Sequence, residues 1–312
     1  MDYNLISTLL SIQQNLFKIG GPILMFLGVV SNLLSLTVFI QKHFRKNPCS
    51  IYFVAFNISN LILIYVSLLP PVLEIGYNVN HTAFNLALCR LRLYVAFVFN
   101  CLCPSYLILA SIDRVIISSV NANVRKYSTQ RHAYILSISN AVSWSVSLIH
   151  VAIFSTIIEL SSVGFLCYVQ PGAYTIAVTI GSLVKEITTP MAMFIFGLWT
   201  IKNVRRTRQA VISPSGRYTC IIHARDRQLI SILLTDIVIY ILFSLVMAIS
   251  LIYKQFKHYG NETSQDTIVE TFFGNVAMYS AHIPFCITSY AHLLLSKTFR
   301  NELKSIVLHM FT

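Results

Sequence analysis

Residues 19–40 read IGGPILMFLGVVSNLLSLTVFI, a run without one charged side chain. About 20 apolar residues at a rise of 1.5 Å each cross the roughly 30 Å hydrocarbon core of a bilayer as a helix. The run is too long for a barrel strand of about 9–11 residues, and it does not alternate apolar with polar positions. Comparable runs follow outward from it, near Ile51 to Leu73, Leu86 to Val120, Ala133 to Ile158, Ala173 to Ile201, Leu229 to Tyr253 and Ile268 to Leu295. The expected fold is therefore an all-α membrane protein. It is read as a seven-transmembrane helix bundle over residues 19–295, with a short N-terminal segment (1–18) and a short tail (296–312).

Composition agrees. Of 312 residues 55% are hydrophobic and only 11% charged, whereas soluble domains carry about 25% charged residues. A water-soluble protein is excluded, and no long polar block exists to form a separate soluble domain. No internal repeat is evident by eye, which weighs against the many transporter folds built from duplicated halves.

Lys and Arg accumulate on cytoplasmic loops. Most of the 23 basic residues fall on one side of the seven-span scheme, among them Lys42, Arg45, Lys46, Arg114, Arg125, Lys126, Arg131, Arg205, Arg206, Arg225, Arg227, Lys297, Arg300 and Lys304. This predicts an extracellular N-terminus and a cytoplasmic C-terminus in a multi-pass protein. The net charge of +12 then reads as this bias plus attraction to anionic lipid, and no nucleic-acid partner is expected. Two sequons, Asn80-His81-Thr82 and Asn261-Glu262-Thr263, fall in loops assigned outside, as glycosylation acceptors must. A third, Asn57-Ile58-Ser59, lies within the second span. The first 18 residues lack a basic start followed by an apolar core, so a cleaved signal peptide is not expected.

Cys89 at the start of the third span and Cys167 in the loop after the fourth both face the oxidising side, where a disulfide would tie that loop over the bundle mouth. Two free thiols are the alternative. Cys101, Cys103 and Cys286 lie within spans as small packing residues. No His/Cys spacing suggests zinc, so neither metal nor cofactor is expected.

Polar residues within spans are costly in lipid and hence functional candidates. Asn32 and Asn60 read equally as interhelical hydrogen-bonding groups or as parts of a switch. Lys185 and Glu186 read as ligand contacts or as a structural ion pair. Asp113-Arg114 ends the third span, where an interfacial salt bridge is the plain reading. Asp236 lies within the sixth span and needs a partner or water.

The pattern resembles the rhodopsin-like G-protein-coupled receptors. The marks are Asn32 within Gly28-Val29-Val30-Ser31-Asn32, Cys89 followed by Asp113-Arg114-Val115, Trp144, Cys167, Pro190, and Ser296-Lys297-Thr298-Phe299-Arg300, in this order from about Gly28 to Leu303. Departures are equally clear. Asn60 stands where most members have the Asp that binds sodium. Val246 replaces the kink-forming proline of the sixth helix, and the Asn-Pro-x-x-Tyr element reads Thr288-Ser289-Tyr290-Ala291-His292. Ala96 and His282 stand where amine receptors and opsins place their ligand-binding Asp and Lys, which disfavours an amine or retinal. The style is similar to divergent invertebrate neuropeptide-type orphan receptors.

The resemblance implies a receptor at the plasma membrane that binds an extracellular ligand, with a neuropeptide among the candidates, and activates a heterotrimeric G protein. Activation is then a population shift in which the sixth helix swings outward. The implied pocket uses Phe97, Asn100, Lys185, Glu186, Met247, Leu251, Met278 and His282. The implied resting lock pairs Arg114 with Asp226, and a pairing of Asp236 with His292 would stand in for the lost helix-seven element. Phe299, Leu303, Ile306, Val307 and Met310 recur at helical spacing, which predicts a short amphipathic eighth helix on the inner leaflet. Two other classes make different demands. A transporter or channel would use Lys185, Glu186 and Asp236 as a charge path, and an intramembrane enzyme needs a catalytic constellation at membrane depth; only scattered candidates exist, and no enzyme is expected.

Overall fold

The computed structural model describes residues 3–41, 44, 47–79, 85–119, 121–160, 164–212, 224–257, 264–296 and 299–305. Among them, six helices are long and apolar enough to cross a membrane: α1 (Ile6–Phe39), α2 (Pro48–Gly76), α3 (Leu86–Ile117), α4 (Gln130–Ile153), α5 (Ala173–Arg206, continuing to Ile212) and α6 (Leu229–Gln255, within Ala224–Lys257). The chain is an all-α, multi-pass membrane protein. A further long helix, α7 (Ser264–Leu295), is interrupted by more polar side chains, including Glu270, Asn275, His282 and His292.

Local sequence explains where helices begin. Asn47 stands in extended conformation before Pro48, and its side chain accepts from the Cys49 amide at 3.0 Å. A capping amide followed by proline at the first helical position satisfies one orphan donor and removes another. Asn85 caps α3 by accepting from the amides of Ala87 and Leu88, and Thr129 caps α4 through His132. The first helix starts at Tyr3, well ahead of Ile19, and passes through a π turn at Leu16–Gly20. Two more π turns, Ile64–Leu68 and Val72–Gly76, flank Leu69–Pro71, where consecutive prolines remove donors from the ladder.

The end of the fourth helix departs from expectation as well. The fourth helix ends at Ile153, not Ile158, and residues after it form an antiparallel hairpin of β1 (Ser155–Leu160) and β2 (Gly164–Val169) with Ile157 opposite Cys167. The β-branched run Thr156-Ile157-Ile158 suits a strand. Its apolarity extends that of α4 without a break, so hydropathy alone cannot separate the two. Gly172, at φ 105°, then turns the chain into α5, a conformation other residues avoid.

The helices converge on two buried clusters. At the end where α3 finishes, Phe39 of α1 stacks on Phe53 of α2 with ring centroids 4.8 Å apart and meets Phe44 and Phe299 edge-on. At the opposite end, Phe17, Leu24, Ile64, Leu68, Val72 and Cys286 join α1, α2 and α7. Large apolar side chains such as Phe26, Val146, Leu242 and Ile249 point outward and are mostly exposed, as in helices solvated by lipid. Residues 299–305 are helical, and Phe299 is fully buried. Ile306, Val307 and Met310, the rest of the expected amphipathic stripe, lie outside the described residues.

Candidate functional site

Arg114, near the end of α3, is fully buried. A guanidinium cannot shed its proton in a protein, so burial demands a counter-charge and acceptors. Asp113 supplies the charge through a close ion pair, and Asn47 Oδ1 accepts from Arg114 Nη2 at 2.7 Å. Asp113 is held in turn by Ser128, whose hydroxyl donates at 2.5 Å. The amide that caps α2 thus also receives the buried cation of α3, locking two helix ends and the following connection into one polar unit. Asp226, the expected partner of Arg114, has its side chain outside the described residues.

A second polar layer crosses α1, α2 and α7. Asn32 Nδ2 donates to the carbonyls of Gly28 at 2.7 Å and Phe285 at 3.0 Å, and Asn60 Nδ2 donates to Asn32 Oδ1 at 3.2 Å. Ser289 donates to the Ser31 carbonyl, which leaves Ser35 to donate to the Ser289 oxygen. Tyr290 adds a bond to the Leu27 carbonyl at 3.1 Å. Small hydroxylated residues let α1 and α7 approach closely while satisfying each other.

Between this layer and the Arg114 end, Asp236 of α6 meets His292 of α7. The carboxylate Oδ1 accepts from the imidazole Nε2–H at 2.7 Å, with both side chains buried. The Phe299 ring packs edge-on against the imidazole. Asp236 Oδ2 and His292 Nδ1 have no partner among the described residues.

Toward the other end, Lys185 and Glu186 form an ion pair at 2.5 Å, and the Lys185 ammonium also donates to Asn100 of α3. One cation and one anion therefore share the interior with Asn100 of α3. His282 donates from Nδ1 to the Met278 carbonyl and accepts at Nε2 from Ser67 of α2 at 3.0 Å. Above these groups, a disulfide joins Cys89 to Cys167 and fastens the hairpin to α3. Arg92 pairs with Glu74 at 3.1 Å, and Arg90 Nε donates to the Ser155 carbonyl.

No protein-family model and no curated protein matches the chain. The residues and their geometry carry the functional reading.

Of the expected pocket, the structure joins Asn100, Lys185 and Glu186 directly. His282 and Met278 instead belong to the α2–α7 contact, because Ser67 offers the imidazole a donor. Phe97, Met247 and Leu251 are half-buried on α3 and α6. Asn80 and Asn261 lie outside the described residues. Sequence reasoning missed Asn47 as the Arg114 acceptor, although an Asn immediately before Pro48 signals a helix cap. It also missed Ser67, Ser128 and the Ser31, Ser35 and Ser289 set, since isolated serines carry no recognisable spacing.

Proposed function

We propose that the chain is a rhodopsin-like G-protein-coupled receptor of the plasma membrane. In this reading α7 is the seventh span, the Cys89–Cys167 end faces outward and the Arg114 end faces the cytoplasm. Residues 299–305 then begin an amphipathic eighth helix on the inner leaflet. Asn80 and Asn261 become extracellular glycosylation acceptors. The observation that carries the proposal is the double anchoring of α3: a disulfide to the hairpin at one end and the buried Asp113–Arg114 unit at the other.

The ligand, a neuropeptide in the reading favoured by resemblance, enters beneath the hairpin and reaches Lys185 and Glu186. A zwitterionic group can exchange with that pair, offering a carboxylate to Lys185 and an ammonium to Glu186. Ligand that binds one arrangement of the bundle better shifts its population, and a G protein engages the opened Arg114 end. Asn60 in place of the sodium-binding acid and Asp236–His292 in place of the usual helix-seven element set the resting balance by different groups.

The test is guanine-nucleotide exchange on purified heterotrimers by membranes containing the protein, challenged with a neuropeptide library. Peptide-dependent exchange is expected, and an Arg114→Ala variant should lose it at equal surface expression. Ion current or solute flux without exchange would overturn the proposal in favour of a channel or transporter.

A further inference from the structure

A groove of about 460 Å³ runs along the outward face where α2, α3 and α4 meet, lined in part by Ser59, Val98, Tyr106, Ser137, Ile138 and Ala141. It is almost wholly apolar, and α4 is the least buried of the six candidate spans. On α3 the lining runs from Tyr94 to Tyr106, about 18 Å along the axis. One leaflet contributes roughly 15 Å of hydrocarbon, so the groove matches the length of one extended acyl chain.

Charge selects which lipid supplies that chain. Arg131, Ile138 and Ser145 lie seven residues apart on α4, hence on one helix face. Ile138 and Ser145 line the groove, and Arg131 stands on the same face about 10 Å nearer the Arg114 end. Arg131 and the neighbouring Lys126 are both exposed. Residues 115–158 contain no Asp or Glu, so no acid from this part of the chain competes for these cations.

We infer that the groove binds an acyl chain of an anionic phospholipid whose headgroup phosphate is held by Arg131. Glycerol and the first methylenes bridge the interval between Arg131 and the near end of the groove at Ser137, and the distal methylenes fill the apolar part. The guanidinium suits a phosphate because its planar fork donates two parallel hydrogen bonds. The inference rests on the chain spanning a membrane and is independent of the receptor reading.

The experiment is native mass spectrometry of the purified full chain titrated with phosphatidylserine or phosphatidylcholine of identical acyl chains. Wild type should retain phosphatidylserine preferentially, and Arg131→Gln should lower that preference about fivefold without changing phosphatidylcholine retention. Ile138→Trp, at a position facing outward, should reduce retention of both lipids; Ala141→Trp serves as a second obstruction of the same groove. Equal retention of the two lipids by wild type would overturn the inference. So would an unchanged preference in Arg131→Gln, or full phosphatidylserine retention in both tryptophan variants. Among the described residues Ser137 Oγ is buried without a partner and suits a sterol hydroxyl. Stoichiometric displacement of phosphatidylserine by cholesterol would therefore assign the groove to sterol and overturn the anionic-lipid reading.

Discussion

His292 Nε2 and Asp236 Oδ1 stand 2.7 Å apart between α7 and α6, with neither side chain reaching solvent. Breaking one half of such a pair strands the other in a medium that cannot solvate it, at a cost of about 3–5 kcal/mol. The expected coupling between Asp236→Asn and His292→Phe is about 1–3 kcal/mol in a double-mutant cycle, read from unfolding of the purified protein. Effects that add within about 0.5 kcal/mol would show that the two residues do not support each other. In the proposed receptor the same cycle on ligand-independent nucleotide exchange should also be non-additive.

Asn47 both caps α2 and accepts from Arg114, whereas Thr129 caps α4 and bonds within its own turn. Thr129→Ala is expected to cost about 1 kcal/mol. Asn47→Ala should cost that much plus about 1.5–3 kcal/mol for the lost bond to a charged donor. Equal losses in thermal denaturation of the two variants would deny the Arg114 contact an energetic role.

The Cys89–Cys167 bridge closes a loop with a sequence separation of 78. Loop-closure entropy of that length corresponds to about 4.5 kcal/mol at most, so Cys89→Ala should fall sharply in yield and unfold earlier. Peptide mapping after alkylation without reduction should leave both thiols unmodified in wild type. Full labelling of the pair would contradict the bridge.

Gly76 sits where a Cβ would lie 2.9 Å from the backbone N and Cα of Lys18, whereas a Cβ on Gly181 would meet nothing within 4 Å. Backbone cannot rotate away as a side chain can. Gly76→Ala should push α1 and α2 apart and lower stability by about 1–3 kcal/mol. Gly181→Ala should be neutral or slightly stabilising in its helix. Indistinguishable melting of the two variants would mean that the α1–α2 contact yields freely.

Six spans were legible because burial in lipid demands long uninterrupted apolar runs; a charge within such a run marked Asp236 as needing a partner or water, and His292 was named as that partner only through the family resemblance. The hairpin was not legible. Ile157 and Ile158 look like helix to a hydropathy window, and only pairing with residues 164–169 makes them strand. The N-terminal extension of α1 from Tyr3 was missed for the opposite reason: its Gln, Asn and Ser side chains dilute the apolar signal although the helix persists. Besides its pairing with Asp113, Arg114 donates to the neutral amide of Asn47, 67 positions away, and no local pattern announces that contact.

Pro104 interrupts the hydrogen-bond ladder inside α3, level with the Asn100 that receives Lys185. Measured along the axis, Cys89 lies about 22 Å to one side of it and Arg114 about 15 Å to the other. A proline inside a helix removes one ladder bond and favours bending at that point. The two anchors of α3, the disulfide and the buried Arg114 unit, therefore sit on separate arms joined where the helix yields most easily.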